Sequence, residues 1–209
     1  MRILLVDDHA ILRSGLRKIL EGAFEGAYIG EAGTAEEALE HVRETAWDIL
    51  VLDVSLPGRS GLDALVEIHA LKPRLPVVIL SMYGEQQFAV RALRAGAAAY
   101  LTKEHAAEEL IRAISTVLSG RRYIGASLAE QLAAHVASDR ERAPHELLSA
   151  REFEVFRLIS SAKGLTEISE ELALSVKTVS TYRTRILEKM QMESNAELMQ
   201  YAIRHGLVD

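Results

Sequence analysis

Three carboxylates, a hydroxyl and an amine follow short apolar runs at widely separated places in the first half of the chain. Asp7 and Asp8 follow residues 3–6, Asp53 follows 49–52, Ser81 follows 76–80, and Lys103 follows 98–101 after Thr102. Brought together, three carboxylates would repel and raise one another's pKa unless a cation joined them. Mg2+ suits such a set, because it takes a few carboxylates and completes its sphere with water and a phosphoryl oxygen. Beside that ion an ionised Asp53 has the chemistry to attack phosphorus and become an aspartyl phosphate. Ser81 would donate a hydrogen bond to one transferred oxygen and Lys103 would pair with another. Taken singly, each residue is more simply a helix cap or a surface ion-pair partner. Their repetition at successive run ends favours chemistry.

The elements that must position these groups follow from the pattern around them. Residues 49–52 are unbroken Ile-Leu-Val-Leu, too short for a helix and bounded by Asp48 and the turn at Pro57-Gly58. They read as a strand buried on both faces. Residues 10–20 place Ile11, Leu12, Leu16, Ile19 and Leu20 at helical spacing, and a weaker strand lies near 26–31. Thr34-Ala-Glu-Glu37 opens a helix to about Arg43 as a capping box. Helices at 61–71, 85–94 (stopped by Gly96) and 106–118 alternate with strands at 76–80 and 98–101. Five such alternations predict a doubly wound parallel sheet with helices on both faces, and ligand chemistry gathers at the carboxyl ends of its strands.

Beyond residue 120 the pattern changes. Residues 127–136 carry Leu128, Leu132 and Val136 on one narrow helical face, and the polar stretch 138–145 reads as an exposed linker. Ser149-Ala-Arg-Glu152 is a second capping box, opening a helix with Phe153, Phe156, Leu158 and Ile159 on its apolar face. Thr166 is expected to cap a short helix carrying Ile168 and Leu172. After a tight turn at Ala173-Leu174, Ser175 caps a longer helix over 176–190. Ser194-Asn-Ala-Glu197 opens a last helix that ends at Gly206. Short helices and a tight turn before a longer helix suggest a helix-turn-helix.

The longer helix has two faces. Val179, Tyr182, Ile186, Leu187 and Met190 lie on one, while Lys177, Ser180, Thr181 and Thr184 lie on the other, flanked by Arg183 and Arg185. Its cations Lys177, Arg183, Arg185 and Lys189 face Glu188 alone, in a chain whose net charge is −6. An isolated basic helix is ordinarily a solvated face. After a short helix and turn, it suits the major groove, where long cations reach phosphates and short hydroxyls admit the backbone to base edges.

Composition sets the outer limits. The 209 residues are 49% hydrophobic and 26% charged, ordinary for a globular chain with real cores. The acidic balance gives no global attraction to nucleic acid or anionic membrane, so such binding must be local. The absence of cysteine excludes disulfides and thiolate metal sites. The apolar start meets Asp7-Asp8 too soon for a signal peptide, and no stretch has transmembrane length, so a cytoplasmic protein without membrane partners is expected.

The motifs Val6-Asp7-Asp8-His9, Leu52-Asp53, Leu56-Pro57-Gly58, Leu80-Ser81 and Tyr100-Leu101-Thr102-Lys103 resemble those of response-regulator receiver domains, in order. Residues 148–209 resemble the DNA-binding domain of NarL/FixJ (LuxR-type) regulators through Leu148-Ser-Ala-Arg-Glu152, Glu167-Ile168, Leu174-Ser175, Lys177-Thr178-Val179, Tyr182-Arg183 and Ile186-Leu187. The resemblance implies an α/β receiver domain at 1–120 (a doubly wound, five-stranded, flavodoxin-like parallel sheet), a linker with a helix at 121–145, and an all-α helix-turn-helix domain at 146–209. It implies that Asp53 accepts phosphate from a sensor histidine kinase. Asp8, Asp53 and the carbonyl of Ser55 would hold Mg2+, with Asp7 ordering the water around it. Ser81 and Tyr100 would form a switch pair, the ring turning inward as the hydroxyl moves to the phosphoryl group. Otherwise Tyr100 is a half-buried edge residue.

By the same resemblance Lys177, Thr178, Tyr182, Arg183 and Arg185 would contact phosphates of double-stranded DNA, and Ser180, Thr181 and Thr184 would face the bases. A homodimer through the helix at 196–205, using Leu198, Met199 and Ala202, is implied, and RNA polymerase is a further partner to consider. Two departures stand out. Glu104 replaces the proline that often follows the lysine with a cis bond. A cis bond before a non-proline residue costs about 3 kcal/mol, so a trans loop is expected. Ala162, Leu165 and Thr166 stand where the family usually has Gly and polar or basic residues, leaving one phosphate contact to Lys163. A phosphatase with an aspartyl intermediate is the rival class, but it generally needs an acid two residues past the nucleophile, where Ser55 stands; the expectation is no enzyme. An adaptor that has lost DNA binding is a third class, opposed by the basic helix.

Overall fold

The computed structural model describes residues 1–82, 85–104, 106–125, 128–130 and 143–208, with backbone alone at 85–87 and 106–108. The chain divides into two units, Met1–Ala137 and Ser138–Asp209.

In the first unit, strands β1 (Arg2–Val6), β2 (Tyr28–Ala32), β3 (Ile49–Asp53), β4 (Val77–Ser81) and β5 (Ala99–Thr102) form one sheet in the order β2-β1-β3-β4-β5. Every pairing is parallel. The helices α1 (Ala10–Ala23), α2 (Ala35–Glu44), α3 (Gly61–Leu71) and α4 (Glu85–Arg94) supply the crossovers, and α5 (Ala106–Leu118) follows the last strand. Since β1 neighbours both β2 and β3, the crossovers diverge there, and that switch point opens a crevice beyond the carboxyl ends of β1 and β3.

All five residues of β3 are inaccessible, so the central strand has an apolar layer on each side. On one face Ile3, Leu5, Ile49, Val51, Val78, Leu80 and Leu101 pack with Leu16 and Leu20 of α1 and Leu110, Ile114 and Val117 of α5. Each such side chain removed from water contributes about 1.5–3 kcal/mol, which is what holds the rim residues in register. The expected elements all form, with shifted ends: α1 continues three residues past 20, and β2 runs one residue past 31 to match the length of β1. Of the helix expected at 127–136, most lies outside the described residues. Leu128 is fully buried, and the Ala129 N–H donates to the Gly125 carbonyl at 2.9 Å.

The second unit holds a 3-10 turn (Pro144–Leu147) and helices α6 (Ala150–Ser160), α7 (Leu165–Glu171), α8 (Val176–Met190) and α9 (Asn195–Arg204). Helix α6 packs against α7, α8 and α9 and carries the core with Phe153 and Phe156. The capping box at Ser149 closes in both directions, its hydroxyl accepting from Glu152 N–H at 3.3 Å and its own N–H donating to Glu152 at 2.7 Å. Thr166 does not cap α7. The cap is Gly164, whose N–H donates to the Glu167 carboxylate at 2.6 Å, so the reach of that glutamate sets the helix start two residues earlier. Buried Arg151 joins Glu154 at 2.6 Å and the Leu172 carbonyl at 2.9 Å, fixing the end of α7 to α6.

Candidate functional site

The sheet delivers the expected rim residues Asp7, Asp8, Asp53 and Lys103 to one place. Asp7, one residue past β1, and Asp53, the last of β3, are both fully buried, and Lys103 reaches in from the loop after β5. Its Nζ lies 2.7 Å from Asp7 Oδ2 and 2.7 Å from Asp53 Oδ2. The Lys103 N–H also donates to the Ser81 carbonyl at 2.7 Å, joining the loops after β4 and β5. Asp53 Oδ1 accepts the Ser55 N–H at 3.1 Å, so both oxygens of this carboxylate are held. Ligand atoms of Asp7, Asp8, Asp53 and, unexpectedly, His9 lie within 4.8 Å of one another.

Burial pushes the Asp53 pKa up to about 6, against the pull of Lys103 and with a smaller push from Asp7. Burial pulls Lys103 down, but the two carboxylates outweigh it and its pKa is raised. One amine therefore does not balance the buried acids. An added hard cation would, and the cluster's carboxylate oxygens fit Mg2+.

Ser81 is fully buried at the end of β4, in register with Thr102, and Tyr100 is fully buried on the edge strand β5. The ring is thus already inward, not half-exposed. No cis peptide occurs among the described residues, Lys103–Glu104 included. Behind the site, Gly61 N–H donates to the Val54 carbonyl at 2.8 Å, and a Cβ on Gly61 would sit 1.8 Å from the Asp53 carbonyl oxygen. Only a glycine lets α3 begin that close to the acceptor residue. The sequence pattern assigns no role to either His9, which stands in the first motif, or Gly61.

On α8 the division of faces holds. Val179, Ile186 and Met190 are buried, with Tyr182 and Leu187 half-buried, while Lys177, Ser180, Thr181, Thr184 and Arg185 are exposed. Ser175 caps the helix, accepting from Thr178 N–H at 3.0 Å. Lys177, Thr178, Thr181, Tyr182 and Arg185 line a shallow depression of about 270 Å³. Arg183 is half-buried, and its Nε donates to Asn195 at 2.6 Å, tying α8 to the start of α9. Lys189 pairs with Glu152 at 2.6 Å, a bond to α6. Lys163 pairs with Glu171, both side chains partly exposed.

One assignment is overturned. Leu198 and Ala202 are fully buried within their own unit and cannot form a dimer surface. They lie on the inner side of α9, which packs on α6. The exposed residues of α9 are Ala196, Glu197, Gln200, Ile203 and Arg204, with Met199 half-buried beside them, and Ile203 is 67% exposed.

Residues 3–115 match the response regulator receiver domain family, and residues 146–202 match the bacterial regulatory proteins of the luxR family. The chain is a LuxR-type response regulator. It belongs to the phosphorylation-dependent, DNA-binding transcription regulators. The response regulator UvrY of Escherichia coli K12 is 38% identical over 208 residues, 99% of this chain and 95% of that protein. The response regulator GacA of Pseudomonas viridiflava is 39% identical over 210 residues, 100% of this chain and 98% of that protein. RcsB of Salmonella enterica serovar Typhimurium, solved on the rprA promoter with the phosphomimetic BeF3−, aligns with a TM-score of 0.64 at 26% identity, covering 96% of this response regulator and 98% of RcsB.

Proposed function

We propose that Asp53 is the phosphoryl acceptor of this response regulator and that α8 is its DNA-recognition helix. The observation that carries the first assignment is the convergence of Asp7, Asp53 and Lys103 at 2.7 Å beyond the switch point of the sheet. In this reading the Asp53 carboxylate attacks the phosphorus of a sensor kinase's phosphohistidine, the P–N bond breaks, and the imidazole leaves. Lys103 pairs with a transferred oxygen and Ser81 donates to another. Asp8, Asp53 and the Ser55 carbonyl would hold Mg2+, with Asp7 ordering its water. When bound, the ion neutralises charge that builds up on the phosphoryl oxygens.

Phosphoryl transfer would draw the Ser81 hydroxyl toward the new group and leave Tyr100 free to fill space behind it, altering the outer face of the receiver. We take the receiver as 1–120, the connection as 121–145 and the DNA-binding domain as 146–209. Lys177, Thr178, Tyr182, Arg183 and Arg185 then contact phosphates while Ser180, Thr181 and Thr184 read bases. Dimerisation through Ala196, Met199, Gln200 and Ile203 would set two copies of α8 on half-sites about one helical turn apart. The protein acts as a regulator and not as an enzyme; its partners are a sensor histidine kinase, duplex DNA and RNA polymerase. A cytoplasmic location agrees with the absence, among the described residues, of any helix long and apolar enough to cross a membrane.

The test is selection of duplexes from a random-sequence pool by the full chain, with Mg2+ and with or without acetyl phosphate. Phosphodonor should enrich a paired half-site for the wild type and do nothing for Asp53→Ala. Equal enrichment by both proteins, or none by either, would refute the reading.

A further inference from the structure

His9 stands apart from the chemistry assigned so far. Its Nδ1 lies 2.7 Å from Asp8 Oδ1 and 3.4 Å from Asp7 Oδ1. Its backbone N–H donates to Asp7 Oδ1 at 2.8 Å, which holds the ring at the mouth of the pocket without a side-chain cap on α1. The ring is 64% exposed, and an ion pair that exposed to water adds little to stability. Ion pairing is therefore a weak reason for this placement.

Coordination offers a stronger one. Ligands about 2.1 Å from one metal ion sit roughly 3 Å from each other. The imidazole nitrogen already stands at 2.7 and 3.4 Å from two carboxylate oxygens, and Asp53 belongs to the same 4.8 Å cluster. One nitrogen and several oxygens are a donor set that Mg2+ does not need and that imidazole-accepting ions prefer. We propose that His9 makes this pocket a dual site: carboxylates and water hold Mg2+, whereas Mn2+, Co2+ or Zn2+ is held by Asp8 and Asp53 together with the His9 imidazole. The inference rests on the pocket being the cation site of the proposed function. Its consequence is selectivity. Without His9 the pocket offers oxygen alone; with it, first-row transition ions gain a ligand and Mg2+ gains none.

The experiment uses the full chain and Co2+ as a visible probe, titrated with wild type and His9→Gln, followed by displacement with excess Mg2+. A tightly bound Co2+ that Mg2+ displaces is expected for the wild type. His9→Gln should weaken Co2+ by at least about tenfold while changing the Mg2+ affinity less than about threefold. Equal Co2+ affinity in the two proteins would overturn the role of His9. A Co2+ affinity that competing Mg2+ leaves unchanged would place the ion on some other of the seven histidines and also overturn it. Failure of Mg2+ to bind either protein, seen by calorimetry, would instead remove the underlying reading of the pocket.

Discussion

The pocket of the receiver and the exposed face of α8 are built in opposite ways. The pocket gathers residues 7, 53 and 103 from three strand ends into a buried triad. The face of α8 takes all its expected DNA contacts from residues 177–185, most of them exposed. A buried triad made from distant segments is part of what holds its fold, so function and stability are coupled there. An exposed stripe on one helix can change without touching the core.

The contrast is broken most severely by removing the shared cation. Lys103→Met leaves two fully buried carboxylates without their amine and should cost about 3 kcal/mol of receiver stability in chelator. Saturating Mg2+ should restore part of that loss, as read by the receiver's thermal transition. Lys177→Ala is the counterpart on α8. It should reduce the salt slope of duplex binding by about one, with a stability change within about 0.5 kcal/mol. A stability loss near that of Lys103→Met would erase the distinction.

Acid sharpens the comparison, because key carboxylates of the two units shift in opposite directions. The folded pKa of Asp53, about 6, lies above its ordinary 3.8. Its contribution to metal-free stability is fully present below about 3.8 and lost as pH rises through about 6. Glu152 is raised by burial but lowered more by Lys189 and by its bonds to Ser149, leaving it below its ordinary 4.5. Its contribution is present above 4.5 and lost as pH falls through the lower folded value. In chelator, Asp53→Asn should therefore be more stable than wild type at pH 7.5, with the gap closing toward pH 5. Glu152→Gln should cost stability at both values and lose its effect only in stronger acid.

Much of this was legible before any coordinates. Unbroken apolar runs ending in acids marked strand ends, and the period of α8 separated its faces. What the pattern left out depends on three-dimensional neighbours. Leu198 and Ala202 form an apolar stripe, but a stripe does not say whether it faces its own core or a second copy. Gly61 looked like an ordinary helix start, since its close approach to the Asp53 carbonyl exists only in the folded chain. His9 had a usable signal, three consecutive residues with metal-binding side chains, that was absorbed into the family motif.

An effect well below that of Lys103→Met concerns a departure that the sequence did flag. Ala162 adopts a left-handed φ of 62° between α6 and α7, a conformation that costs a residue with a side chain about 1–2 kcal/mol. Glycine gives back part of that gain as chain entropy, so Ala162→Gly should stabilise the second unit by about 0.5–1 kcal/mol. Chemical denaturation of the full chain, followed through the second unit's transition, checks this.

The most direct test of the acceptor assignment is intact-protein mass spectrometry of the full chain after incubation with acetyl phosphate and Mg2+. One phosphoryl group should be added to the wild type, lost on mild base treatment as an acyl phosphate is, and absent from Asp53→Ala. Stoichiometric label persisting on Asp53→Ala would contradict the account.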